Sequence, residues 1–407
     1  MTLERRKLRR SLPILNDLDS YLYADIKRVF VFGRESDCVF FITKNDHVFA
    51  YGKNNSGCLG VGCDEYVSEP KPVPTLNKRK IIEFAAGRDH ILALTKNGQV
   101  FACGSNEFGQ LALKKIPKTN LPQQILSLRK ERIVAINCGA FHSLALTSRG
   151  LILGWGYNFW GQLGLGSNEN QFEPVLNVAL NRENIVEIAC GQHHSVALSK
   201  KGDIFTWGHN AFGQLGIGDR CNYRNIPTKI IDGRDFPIKQ VTCGQNHVLA
   251  VSEDGKLLGF GSNYYGQLGT GCRRNEYAPV KIEIESRIKD ALSSPFSNTS
   301  LARTENKRNS LVFGKCGDHW VLTPLDTEIQ DEDRTKKNHF ANRPLFKDNK
   351  TNCHEVFVNL NQSTAHTTKV VKNKPNLFWQ VLMLIRSKMN KINNHNRRQR
   401  RQNYDLD

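Results

Sequence analysis

The sequence predicts an all-β chain: a β-propeller of six to seven four-stranded blades, followed by a mostly disordered basic C-terminal tail that contains a short helix. Three observations carry this. A glycine-rich stretch of the form Gly-x-Asn-x-x-Gly-Gln-Leu-Gly recurs, as GKNNSGCLG from Gly52, GSNEFGQLA from Gly104, GYNFWGQLG from Gly156, GHNAFGQLG from Gly208 and GSNYYGQLG from Gly261. The steps between these lead glycines are 52, 52, 52 and 53 residues, and self-similarity at a fixed period of this size marks a repeat architecture. A second element keeps the same phase: a segment closing on Ala-Gly or Cys-Gly, with a histidine following at His90, His142, His194 and His247. A third is one proline per unit, at Pro70, Pro122, Pro174, Pro227 and Pro279, each 18 or 19 residues past its lead glycine.

Within one unit the pattern is β. Residues 133–138 (IVAINC) alternate loosely at period two, and 144–147 and 151–155 flank a tight turn ending at Gly150, the hairpin signature. The recurrent proline precedes another short apolar run, and because proline donates no hydrogen bond it belongs at the start or edge of a strand. Four short strands in about fifty residues make one small antiparallel sheet. Alone, such a sheet buries too little; set radially, each packs both faces on its neighbours.

The repeat begins at Ile26. Residues 38–52 align with 90–104 position by position, with Cys38 where later units have histidine. A sixth unit is decayed: Thr299 keeps the phase of His247, and residues 311–314 (LVFG) match the strand before a lead glycine, but no Gly-Gln-Leu-Gly follows. The expected organisation is a basic, poorly ordered N-terminal segment (1–25), the propeller (26–324), a polar linker (325–352), an apolar, partly helical segment (353–390) and a basic disordered tail (391–407).

Formal net charge is +18, but residues 1–10 and 365–407 supply +4 and +8, leaving +6 for the long middle. The body is therefore only mildly basic, which argues against a whole-protein nucleic-acid field. Cys138, Cys190 and Cys243 share one repeat position that Ala86 fills elsewhere. They are read as small buried apolar residues with free thiols in a reducing compartment. No apolar run approaches the ~20 residues that span a bilayer, so no membrane association is expected.

With those residues in hand, the chain resembles the regulator-of-chromosome-condensation repeat family, whose signature is this glycine motif paired with Cys-Gly-x-x-His. The resemblance covers about 26–317 and implies a propeller, usually of seven blades. A closer likeness is to members carrying a C-terminal BTB/POZ domain, with 353–390 as a BTB/POZ remnant in a truncated or degenerate relative. For those members the resemblance implies a protein-interaction scaffold tied to cullin-type ubiquitin ligases, chromatin or cell-cycle control, and a nuclear or cytoplasmic location.

The chemistry points the same way. The repeat histidines come from different units, so ring symmetry spreads them around the axis; they are read as structural residues bonding a neighbouring loop, and the His193 beside His194 as a solvated residue. The glycines lack the Lys-Ser/Thr of a phosphate loop and any βαβ context, so Gly52, Gly104, Gly156, Gly208 and Gly261 are read as turn glycines with positive φ. No catalytic set interrupts the repeat, so no enzyme activity, cofactor or metal is expected. The family's founding activity, nucleotide exchange on a Ran-type small GTPase, depends in the resemblance on a hairpin inserted between blades, and the even 52–53-residue spacing leaves no room for one. Arg397, Arg398, Arg400 and Arg401 form a candidate nuclear import signal or a non-specific, salt-sensitive phosphate contact, which makes a chromatin-associated protein the other alternative.

Overall fold

The computed structural model describes residues 25–32, 37–114, 116–305, 309–316 and 319–328. These form six four-stranded antiparallel sheets, each built in chain order, spanning 26–72, 81–124, 133–176, 185–231, 238–282 and 288–328. The described residues form a six-bladed β-propeller. Short 3-10 turns such as Pro74–Leu76 join the blades. The sixth unit keeps all four strands: the last, His319–Glu328, supplies the strand that the decayed text hid and runs past residue 325, where the linker was expected to begin. The N-terminal residues 1–24, the segment 353–390 expected as a BTB/POZ remnant and the tail at 391–407, with Arg397, Arg398, Arg400 and Arg401, lie outside the described residues.

The repeat's residues explain the blade. Strands two and three are a tight hairpin; in the third blade His142 pairs with Gly156 and Leu146 with Ile152. The prolines fall on the outer, fourth strand, at a bulge. In the fourth blade Thr206 pairs with Thr228 and Gly208 with Arg224, so Pro227 occupies a register gap. Pro174 and Pro279 fall in the same gap, so a residue without an N–H sits where the ladder is interrupted.

Buried apolar residues group at five junctions between consecutive blades. One third-strand position carries the largest of them, with Trp155, Trp207, Phe260 and Phe313 all at 0% exposure. Each contributes about 1.5–3 kcal/mol through burial. The two indole N–H groups find partners across the junction, Trp155 Nε1 donating to the Gln110 carbonyl (2.9 Å) and Trp207 Nε1 to that of Gln162 (2.8 Å). Cys138, Cys190 and Cys243 are buried, free thiols in this same core, as their repeat position suggested.

Successive blades are also tied by backbone. The residue after each Ala-Gly or Cys-Gly donates its N–H to its counterpart one blade on: Arg88 to Ala140, Ala140 to Gln192, Gln192 to Gln245 (each 3.0 Å), and Gln245 to Ser297 (2.9 Å). The geometry of one loop is thereby fixed by the next.

Candidate functional site

The glycine motif is a knot that presents side chains. The side-chain oxygen of its asparagine accepts the N–H of the leucine five residues on, at 2.8 Å for Asn106 to Leu111 and 2.9 Å for Asn158 to Leu163. The asparagine Nδ2 ties down the following loop, as Asn158 does at the Ser167 and Glu169 carbonyls. The glutamine oxygen accepts the N–H two residues back, Gln162 from Trp160 (3.0 Å) and Gln214 from Phe212 (2.9 Å). The leucine is buried completely in each complete copy. Everything constant in the motif points inward, and the variable positions reach the loop face except where the first is a buried serine, Ser105 or Ser262.

Six of the nine such positions in the second to fourth blades hold a ring (Phe108, Tyr157, Phe159, Trp160, His209 and Phe212), and these meet, with Phe141 of the Cys-Gly-x-x-His segment among them. Phe108 stands edge-on to Phe141 (5.4 Å between centroids) and Tyr157 (5.0 Å). Tyr157 continues to Phe159 (6.4 Å), Phe159 to Trp160 (4.9 Å), Trp160 to His209 (4.7 Å) and His209 to Phe212 (6.0 Å). Arg88 caps one end, its guanidinium 5.6 Å from the Phe141 centroid. In the fifth blade Tyr264 and Tyr265 pair at 5.0 Å, with Arg273 over Tyr264 at 4.4 Å. Phe159 is 57% exposed, Tyr264 56% and Phe212 40%. A row of contiguous, part-exposed rings held on rigid loops is the composition of an interaction surface: large contact area with little side-chain entropy left to lose.

His193 belongs to this row rather than to a solvated surface. It is half-buried, stacked near Phe141 (6.2 Å) and edge-on to Tyr157 (6.1 Å), and burial lowers its pKa to about 4. Both it and His209, lowered chiefly by burial, are neutral at pH 7, so the row carries no histidine charge.

The sequence-predicted positions lie beneath this face. His90, His142 and His247 reach into the following blade, each with Nε2 against a serine hydroxyl: Ser143 (3.0 Å), Ser195 (3.0 Å) and Ser300 (2.8 Å). Each serine donates its proton to a motif glutamine carbonyl, of Gln110, Gln162 and Gln267. The hydroxyl has one proton to give, so the imidazole donates from Nε2 and is neutral; burial holds all three near a pKa of about 3. His194 lacks this partner because the fifth blade has Val248 in the serine's place, and both its ring nitrogens are unpaired. Among the described residues no group of His, Cys, Asp or Glu converges in a metal-binding arrangement.

The lead glycines Gly52, Gly104, Gly156, Gly208 and Gly261 have φ of 101–109°, and each pairs with the histidine, or with Cys38 in the first blade. A Cβ on Gly156 would stand 2.6 Å from the Phe141 carbonyl. They let the hairpin close beneath the aromatic loop.

Sequence reasoning weighed the constant residues and passed over the row itself. The signal was present: within a frame that scarcely varies, the x positions of Gly-x-Asn-x-x-Gly read Tyr157, Phe159 and Trp160 in one unit and His209 and Phe212 in the next.

Comparison with known proteins agrees with the architecture. The family model described as RCC1-like domain matches residues 22–341. The Ultraviolet-B receptor UVR8 of Arabidopsis thaliana is 33% identical over 268 residues, 66% of this chain and 60% of that protein. The human Probable E3 ubiquitin-protein ligase HERC4 is 36% identical over 225 residues, 55% of this chain but 21% of that protein. The chain thus spans less than two thirds of the length of either relative. Among solved structures, Prp20p of Saccharomyces cerevisiae superposes with a TM-score of 0.65 at 24% identity, covering 79% of each chain. Human WBSCR16 superposes with a TM-score of 0.65 at 23% identity, covering 74% of this chain and 81% of that one.

Proposed function

Because the chain belongs to the RCC1-like domain family, we propose that it is a non-enzymatic scaffold that captures a protein partner on the loop face bearing Tyr157, Phe159, Trp160 and Phe212. The single observation behind this reading is the ring row itself: aromatic side chains sit at the variable positions of a motif whose constant residues all face inward. The relatives support it in kind. HERC4 is named as a probable ubiquitin-protein ligase, and Prp20p's structure is described with its binding to Gsp1p and histones. A role as substrate-recognition or regulatory subunit of a ubiquitin ligase, or in chromatin or cell-cycle control, is the finer form of the proposal; a BTB/POZ remnant at 353–390 would be its cullin-facing part.

The test is affinity capture of the full chain from its native cells beside a Phe159→Ala/Trp160→Ala/Phe212→Ala variant, followed by reconstitution with the captured protein. The reading expects a reproducible partner that binds the wild type directly and loses at least tenfold in affinity to the variant. Equal binding by both removes the loop face from the proposal. The competing reading, nucleotide exchange, is tested by nucleotide release from a Ran-type GTPase, where no acceleration is expected.

A further inference from the structure

One position on the first strand of each blade, two residues after its start, holds Arg28, Glu83, Ala135, Glu187, Gln240 and Asp290 in turn; in the first five it lies at the junction with the next blade, and in the sixth Asp290 pairs with Arg303 of its own blade. In the fifth blade its use is plain. Gln240 spans the junction with a two-bond clasp on one residue of the sixth blade, Nε2 donating to the Ala291 carbonyl (3.0 Å) and Oε1 accepting the Ala291 N–H (2.9 Å). Arg28 also bonds across its junction, donating to the Ile82 carbonyl at 3.0 Å.

Glu83 and Glu187 stand where Gln240 stands and make half of its clasp. Glu187 Oε2 accepts the Val241 N–H (3.3 Å), and Glu83 accepts that of Ile136. The other oxygen of each, Oε1, is buried with no partner. Both side chains are buried, Glu83 at 5% and Glu187 at 8% exposure. The titratable neighbours are the thiols of the following blades, Cys138 beside Glu83 and Cys243 beside Glu187, while Arg28 reaches the backbone next to Glu83. Among the described residues neither carboxyl has a cation in an ion pair.

A carboxylate here would bury a charge and leave one oxygen unpaired, which is expensive. A carboxylic acid has the donor–acceptor pattern of the glutamine amide: one oxygen accepts, and the other carries a proton it can give. We propose that Glu83 and Glu187 are protonated in the folded protein and clasp Ile136 and Val241 as Gln240 clasps Ala291, so that these two blade junctions are latches that open as pH rises. The proton on Oε1 goes to the carbonyl of the same residue whose N–H the other oxygen accepts. Burial pushes both acids up, Glu187 to about 8.

The sign follows. Between the ordinary carboxyl range and its raised folded value, about 8 for Glu187, each acid holds a proton in the folded chain that the unfolded chain has released, and so weakens folding by about tenfold in the folding constant per pH unit as pH rises. Glutamine at the same sites is a permanent clasp. The experiment compares urea midpoints from pH 7, above the histidine range, to pH 9 for the full chain, Glu187→Gln, Glu83→Gln and the double variant, with infrared spectra of the wild type at pH 7. The proposal expects a wild-type midpoint that falls across this window, a fall that is flattened in the double variant, and a protonated-carboxyl band at pH 7. A wild-type fall that the double variant repeats unchanged, or a spectrum with no protonated carboxyl, overturns it; the spectrum decides even if a variant does not fold.

Discussion

His142 of the third blade and Ser195 of the fourth share one hydrogen bond, Nε2 to Oγ at 3.0 Å, and through it the Cys-Gly-x-x-His segment of one unit is locked to the glycine-motif loop. The serine passes its own proton to the Gln162 carbonyl at 2.8 Å. The histidine is thus the link between the core of the propeller and the loop that carries Tyr157, Phe159 and Trp160.

Removing the serine breaks that link. Ser195→Ala leaves the His142 N–H buried without an acceptor, and it should lower stability by about 1–3 kcal/mol in urea denaturation. Loop exchange at 157–162 should quicken in the same variant, measured by amide hydrogen exchange.

The fourth junction is a natural version of that deletion, with Val248 facing His194. Val248→Thr restores a hydroxyl with almost no change in volume. It should cost less than about 0.5 kcal/mol or be stabilising, whereas Val196→Thr, where no histidine waits, should cost about 1–3 kcal/mol. Equal costs at the two sites would refute the histidine–serine link.

Glycine precedes the histidine because the ring lies flat on it. A Cβ at Gly191 would stand 1.9 Å from His194 Cε1. Gly191→Ala should therefore destabilise by about 3 kcal/mol. In the Gly191→Ala/His194→Ala double variant the penalties should sum to less than the two singles, a coupling of at least about 1 kcal/mol.

Acid should loosen the ring. His90, His142 and His247 have pKa near 3 in the fold and His194 is held well below its ordinary value, all chiefly through burial. Unfolded, they titrate near 6.5. Below that pH the unfolded chain takes up protons that the folded chain refuses, so stability falls as pH drops. Each histidine contributes about 1.4 kcal/mol per pH unit once well below 6.5. Thermal midpoints at pH 6, 5 and 4 should decline progressively, and a His194→Gln variant should decline less steeply.

The architecture was legible in the text because a repeat announces itself: fixed spacing fixed the blades, and Pro227 or Gly156 could be placed on a strand before any coordinate was known. The sixth blade was harder. Without Gly-Gln-Leu-Gly its outer strand has no signature, yet Thr299 pairs with Gly314 and residues 319–328 complete the sheet by backbone pairing alone. The aromatic row was the least legible part. Phe108 comes from one unit, Phe141, Tyr157 and Trp160 from the next, and His209 and Phe212 from the one after, and their meeting depends on how tightly the Arg88–Ala140–Gln192 backbone ladder draws consecutive loops together. The clasping residues were equally hidden, since Glu83, Glu187 and Gln240 look like ordinary polar residues on alternating strands until the neighbouring blade is in place.

Amide hydrogen exchange of the full chain, alone and with its captured partner, tests the central claim most directly. The account predicts slowed exchange within 105–110, 139–141, 157–162 and 209–214, the segments that carry the aromatic row. Protection confined to the outer strands or to the tail at 391–407, with those loops unchanged, would contradict it.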